Sequence, residues 1–144
     1  MRIAITAACA ATLSACGPGV TEQNLPEMLE GAANFINTDG QSMMSDEIGN
    51  ARISARAEGG DTLVMRIENI PTGSYTFDPD AMRKMMRPHV CDQSGNRSVI
   101  DAGGKFRIEM ISNTGKASPP FTIARCDRVS AKTRAEDVVQ AFVA

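Results

Sequence analysis

Apolar residues recur at helical spacing in some stretches of the chain and alternate with polar ones in others, and the two periods divide it into elements. Met28, Leu29, Ala32, Ala33, Phe35 and Ile36 share one side of a 3.6-residue repeat. Asn24 can cap that helix, Pro26 suits its first turn, and the polar Asn37-Thr38-Asp39-Gly40 predicts its end. Ile53, Ala55 and Ala57 alternate with Arg52, Ser54 and Arg56; after Gly59-Gly60-Asp61, Leu63, Met65 and Ile67 alternate with Val64, Arg66 and Glu68. This is the pattern of a β-hairpin with one apolar and one largely charged face. A second helix is predicted from Asp78 as cap and Pro79 in the first turn, with Ala81, Met82, Met85 and Met86 as its apolar stripe and Pro88 as its end. Residues 98–100, 105–111 and 121–126 then read as a meander broken by glycine-containing turns, with Pro119-Pro120 forcing the last strand to start late or lie at an edge. Thr133 and Glu136 make a capping-box pattern ahead of Val138, Val139 and Phe142, which predicts a terminal helix. The order α-β-β-α-β-β-β-α with short turns implies a small α+β domain, an antiparallel sheet of about five strands with two or three helices.

The first residues follow a different logic. One basic residue, Arg2, precedes an uncharged, alanine-rich run over residues 3–12, and Leu13-Ser14-Ala15-Cys16 closes it. The run has the n-region and h-region of a secretory signal and is too short to span a bilayer. With its four-residue ending the segment resembles the lipobox of bacterial lipoproteins. That resemblance implies a signal peptide over residues 1–15, an acylated Cys16 as the mature N-terminus and attachment to a membrane through several acyl chains, which anchor stably where one does not. Gly17 stands where an Asp would favour inner-membrane retention, so the resemblance points to the outer membrane, with the domain facing the periplasm. Gly-rich, polar residues 16–23 suit a flexible tether, leaving residues 24–144 as a single globular domain. Removing residues 1–15 from the 144 leaves 129, enough for one core. The 15 basic residues drop to 14 against 17 acidic ones, a net charge of about −3 that does not suggest nucleic acid.

On the same resemblance Cys9 departs with the signal and Cys16 takes lipid. The remaining pair, Cys91 and Cys126, suggests one disulfide in an oxidising periplasm, closing a loop of about 36 residues with roughly 4 kcal/mol of chain-entropy stabilisation. Two independent buried thiols are the alternative. Zinc is disfavoured because only His89 lies near either cysteine.

Candidate chemistry is sparse. His89 is the sole histidine, and its place after Pro88 at a helix end suits a structural role at the helix C-terminus. No nucleophile elbow, Walker loop or dinucleotide fingerprint occurs. Asp46-Glu47 and Asp78-Pro79-Asp80 lack the further ligands of a calcium loop, and in Asp92-Gln93-Ser94-Gly95-Asn96 the residue that follows, Arg97, replaces the glycine such a loop needs; that segment reads as a solvated turn. The Met82, Met85, Met86 stripe with His89 and Cys91 offers soft donors for Cu(I), although plain core packing accounts for it.

Two surfaces could meet a partner. Arg83, Lys84 and Arg87 form a small basic patch on the second helix, a solvated face by default that could meet an acidic partner or lipid headgroups, and Val139 and Phe142 give the C-terminal helix an apolar face that either docks on its own sheet or is presented to another protein. The small α+β layout with one late disulfide is similar to periplasm-facing lipoproteins, including pilotins that escort secretin subunits of type II secretion systems; no residue motif carries that similarity, so no functional residue is transferred. The reading is an envelope lipoprotein acting without catalysis and without a cofactor, binding an envelope protein as an assembly accessory. Binding of a small ligand or soft metal, inhibition or exclusion, and hydrolysis of envelope polymers are the alternatives.

Overall fold

A computed structural model describes residues 19–43, 50–71 and 76–127. The expected signal segment, Cys16, Asp46-Glu47 and the segment expected to form a terminal helix, with Val139 and Phe142, lie outside these residues.

The first described helix is preceded by a reciprocal cap. The Thr21 amide donates to Asn24 Oδ1 (2.7 Å), and the Asn24 amide donates to Thr21 Oγ1 (3.4 Å). Asn24 therefore supports the helix by closing back on Thr21, a capping-box arrangement one turn upstream of the predicted cap. Helix α1 runs over Leu25–Met43 and buries Leu25, Leu29 and Ala33. It passes through the polar segment that predicts its end, and tertiary contacts explain why. Asn37 Nδ2 donates to the Ala55 carbonyl and the Ala55 amide donates to Asn37 Oδ1, both at 2.8 Å. One turn later Gln41 Nε2 donates to the Ala51 carbonyl (2.9 Å). These amides satisfy a strand edge that would otherwise be open to foreign pairing. Gly40 makes the approach feasible: a Cβ there would lie 3.1 Å from Ile36 and 3.2 Å from Ile53.

That edge belongs to β1 (Arg52–Glu58), which pairs with β2 (Thr62–Ile70) in the predicted antiparallel hairpin, Ala55 opposite Met65 and Ala57 opposite Leu63. Gly59 and Gly60 take positive φ in the turn, as a tight hairpin requires. Helix α2 (Pro79–Asp92) starts as predicted, with the Asp78 carboxylate accepting from the Asp80 and Ala81 amides. It continues past Pro88 because its last turn buries Val90 and Cys91 in the core, and that burial offsets the lost hydrogen bond.

Two expectations are corrected. Residues 98–100, read as a strand, belong to helix α3 (Ser94–Asp101), and the supposed solvated turn at residues 92–96 is the α2–α3 junction and the first turn of α3. Asn96, Val99 and Ile100 have helical spacing, a signal that a three-residue window hides. The second correction follows. Because α2 and α3 return the chain to its starting end, β3 (Lys105–Ser112) pairs parallel with β2, so the sheet is mixed and not wholly antiparallel. The four described strands lie in the order β1-β2-β3-β4, with the three-residue β4 (Phe121–Ile123) at the edge directly after Pro119-Pro120. The described residues form a two-layer α+β domain with the three described helices on one face of the sheet.

Leu29, Ile108, Phe121 and Ile123 form the sealed centre between the layers. Gly104 is held where α3, β3 and α1 converge: a Cβ on it would meet Val99 Cγ1 at 2.6 Å and the Val99 carbonyl at 2.8 Å. Cys91 and Cys126 are joined by a disulfide, with their Cα atoms 5.6 Å apart, tying the chain beyond β4 to α2.

Candidate functional site

Among the described residues the helical layer does not close. α1 covers β1 and the near side of β2, and the α2–α3 pair covers the far side, so a groove of about 530 Å³ remains between them. Leu63 and Met65 of β2 and Phe106 of β3 make its floor. One wall is Met28, Ala32 and Phe35 of α1; the other is Val90 with Gln93, Asn96 and Val99, and Val20 stands at the N-terminal side. Among the described residues the polar side chains in this lining are two amides on one rim, and no charged side chain enters it. Met28 is 44 % and Phe35 49 % exposed, so α1 leaves a wet apolar stripe at the lip of the groove.

The arc of the α1 pattern contains a signal for this. At 100° per residue, Phe35 and Ala33 bound an apolar stripe about 160° wide, broader than one sheet face requires. One margin of such a stripe has to stay uncovered or meet something else. The sequence pattern puts all six residues on one apolar side, and Met28, Ala32 and Phe35 line the lip or wall of the groove.

The fold around this groove has counterparts. The domain has the fold of type II secretion pilotins. The pilotin AspS from Vibrio cholerae superposes with a TM-score of 0.53 at 20% identity, covering 71% of this chain and 90% of that one. The pilotin EpsS from the Vibrio vulnificus type 2 secretion system gives 0.51 at 16% identity, over 74% and 96%. A proposed secreted protein from Pseudomonas aeruginosa gives 0.55 at 16% identity, over 74% and 95%. No family model matches the chain, and no curated protein matches it in sequence. The likeness is one of fold.

The other sequence-marked residues lie away from the groove. Arg83 pairs with Asp80 (2.8 Å). Arg87 donates to the Arg125 carbonyl (3.0 Å) and pairs with Asp127 (2.7 Å), so two of the three cations of the expected basic patch are engaged within the chain. Lys84 is exposed beside them and lines a smaller cleft of about 360 Å³ with Arg97 and Asp127. Arg97 is also engaged there, donating to the Cys91 and Asp127 carbonyls. His89 is exposed in the last turn of α2 and lines neither the groove nor that cleft.

The soft-donor set does not assemble. Met82 and Met86 pack against the core, Met85 points outward at 57 % exposure, and the Cys91 sulfur is committed to the disulfide. Among the described residues no three His, Cys, Asp or Glu side chains are grouped to hold a metal ion, and no helix is long and apolar enough to cross a membrane. What the arrangement offers chemically is apolar burial along a straight helical wall.

Among the described residues the opposite face of the sheet is closed by its own charges. Arg56 on β1 reaches across the central strand to Glu109 on β3 (3.1 Å), and Arg107 lies 3.7 Å from the same carboxylate. Val64, which sits between Arg56 and Arg107 in register, is completely buried there. Long cationic side chains seal apolar surface with their methylene stems while their heads stay wet.

Proposed function

We propose that this protein is a lipid-anchored accessory of the outer membrane that acts without catalysis, taking an amphipathic helix of an envelope protein into the groove between α1 and α3. The observation that carries the reading is the exposed Met28–Phe35 stripe beside a preformed apolar floor. A helix presenting apolar residues at spacings of three and four buries that stripe and keeps its polar side in water. Ala32 between Met28 and Phe35 lowers the wall in the middle, leaving room for a side chain of the incoming helix. The pilotin fold supports an escort role towards a secretin-like subunit, and the lipobox-like Leu13-Ser14-Ala15-Cys16 supports anchoring through Cys16 at the periplasmic side of the outer membrane.

The test is photo-crosslinking in a Gram-negative host, using the full-length chain with a photoreactive aromatic residue in place of Phe35 and, as control, in place of Thr122 on the edge strand. An outer-membrane secretion subunit crosslinked from position 35 and not from position 122 is the expected result. Phe35→Asp in an otherwise native chain should reduce co-isolation of that subunit at least tenfold, the loss of about 1.4 kcal/mol or more that a central apolar anchor commonly carries. Its thermal unfolding should stay close to the parent's, because the side chain is already half exposed. Equal crosslinking from both positions, or undiminished co-isolation with Phe35→Asp, would remove the groove from the proposal.

A further inference from the structure

We infer that Met28 is an oxidation site that switches the groove: a peroxide converts its thioether to the sulfoxide and turns away an apolar helix, and a dithiol-dependent sulfoxide reductase restores access. The inference rests on the groove being the docking site proposed above and adds how that site is regulated.

The described methionines differ in how far an oxidant can reach them. Met28 is 44 % and Met85 57 % exposed, whereas Met65, Met82 and Met86 are half-buried and Met110 is buried. Peroxide reacts at the sulfur lone pair, so the order of reaction follows access to that atom. Thiols ordinarily compete for such an oxidant, but both described cysteines are already joined, Cys91 to Cys126. Exposed thioethers are therefore the described side chains most open to a mild two-electron oxidant.

The step balances without further reactants. The sulfur lone pair takes one oxygen of hydrogen peroxide as the O–O bond breaks; the S–O bond forms, a proton passes to the departing hydroxide, and water leaves. Sulfur loses two electrons and the peroxide gains them. In the reverse direction a dithiol supplies two electrons and two protons, the S–O bond breaks, and thioether, disulfide and water result.

Position decides the consequence. Met28, Ala32 and Phe35 make one wall above the floor of Leu63, Met65 and Phe106, and none of these side chains is a hydrogen-bond donor. Among the described residues the side-chain donors of the lining are the Gln93 and Asn96 amides on the opposite wall, where Asn96 Nδ2 already donates to Gln93 Oε1 (3.3 Å). A sulfoxide oxygen at Met28 is hydrated while the groove is empty. An apolar helix strips that water and offers nothing in return, which is the unfavourable burial of an unpaired polar group. Met85 undergoes the same chemistry without this effect, because it is not part of the groove lining. The fold tolerates the change, since Met28 lies on the wet side of α1 and the neighbouring Leu29 does the sealing.

The experiment uses the full-length, membrane-anchored chain. Graded hydrogen peroxide followed by mass-spectrometric mapping should convert Met28 and Met85 first and Met110 last. Conversion of Met28 no faster than Met110 would overturn the inference. Co-isolation of the secretion subunit that position 35 crosslinks is then compared before and after peroxide within each variant. The parent and Met85→Leu should lose about tenfold and recover it with sulfoxide reductase and a dithiol. Met28→Leu, which keeps an apolar side chain of similar volume, should give the same yield before and after treatment, whatever its starting level. Met28→Gln, with a polar oxygen near the same place, should be low without any peroxide. An equal peroxide loss in Met28→Leu would trace the damage to the partner or to another methionine, overturning the switch while leaving the docking site standing. No co-isolated subunit before peroxide would overturn the docking site itself, and the switch with it.

Discussion

The two faces of the sheet are closed by different means. On the helix side Leu29, Ile108, Phe121 and Ile123 are sealed by bodies brought from elsewhere in the chain, and where α1 and α3 fail to meet, Met28 and Phe35 stay wet. On the other side the sheet covers itself: Arg56 crosses β2 to Glu109, Arg66 pairs with Glu68 (2.6 Å), and Val64 disappears beneath this lattice. Charged side chains rooted in a sheet can shield it without a second layer, because their stems supply apolar contact and their heads supply hydration. An apolar face has no such recourse. Its unfilled portion is closed only by another apolar surface, which is why the groove, and not the more abundant charge opposite, is the part of this molecule that points to a partner.

If the helix side owes its integrity to imported bodies, the largest effect should come from releasing one. The Cys91–Cys126 bond, 35 residues apart in sequence, fastens the α2–α3 unit to the chain after β4. Replacing both cysteines by alanine should cost about 4 kcal/mol, read as a lower urea midpoint at unchanged slope. Position 126 is only half-buried, so cavity formation adds little there. A loss below about 1 kcal/mol would mean that packing alone holds α2 in place.

How much of this was legible depends on range. The β1–β2 hairpin and the Asp78-Pro79 start of α2 are set by neighbours in sequence, and the pattern predicts both, although β2 continues to Ile70, two residues past the alternation. The end of α1 is not: Asn37 and Gly40 read as breakers locally, yet one bonds Ala55 and the other lets Ile53 approach. The parallel β2–β3 pairing was hidden for the same reason. It depends on residues 98–100 being the last turns of a crossover helix, and Ser98-Val99-Ile100 taken alone suits a strand at least as well. As for the site, Met28, Ala32 and Phe35 were visible as apolar but not as uncovered, since coverage is fixed by where α3 stops.

A closer comparison sets Leu29 against Val64, both fully enclosed but on opposite faces. Leu29→Ala should cost about 3 kcal/mol, because the neighbouring helix and strands are fixed and a cavity remains. Val64→Ala should cost about 1.5 kcal/mol, little more than the transfer free energy of the lost carbons, because flexible arginine stems can settle into the space. Equal costs, measured by chemical denaturation, would show that the charged face is as rigid as the core and would break the contrast.

The ion lattice itself should contribute less. Glu109 is only 19 % exposed but Arg56 is 51 %, so the pair is half in solvent. A double-mutant cycle with Arg56→Met and Glu109→Gln should give a coupling of about 0.5–1 kcal/mol, shrinking in high salt. Methionine keeps much of the stem over Val64, which separates coverage from charge. A coupling near zero with both single variants unperturbed would leave hydrophobic coverage as the whole function of Arg56.

The smallest effect distinguishes charge from geometry at the hairpin. Asp61 accepts from Lys105 Nζ (2.6 Å) and from the Thr62 hydroxyl (2.6 Å), while its carbonyl accepts the Lys105 amide (2.8 Å). The hydrogen bond from the Lys105 ammonium, followed by that from Thr62, holds the carboxyl below its ordinary pKa. The folded state therefore binds this proton less readily than the unfolded chain. Its stabilising contribution is complete above the unfolded value, about pH 4, and is lost as pH falls through the lower folded pKa. With both side chains 44 % exposed the screened pair contributes within about 0.5 kcal/mol. Asp61→Asn should thus be slightly less stable than the parent at pH 7, and the difference should vanish in acid, as followed by thermal unfolding between pH 7 and pH 2. The backbone bond from Lys105 to residue 61 survives the substitution, so a deficit that persists in acid would trace the effect to turn geometry. In that event the hairpin end would belong with the packed side of the molecule and not with its charged face.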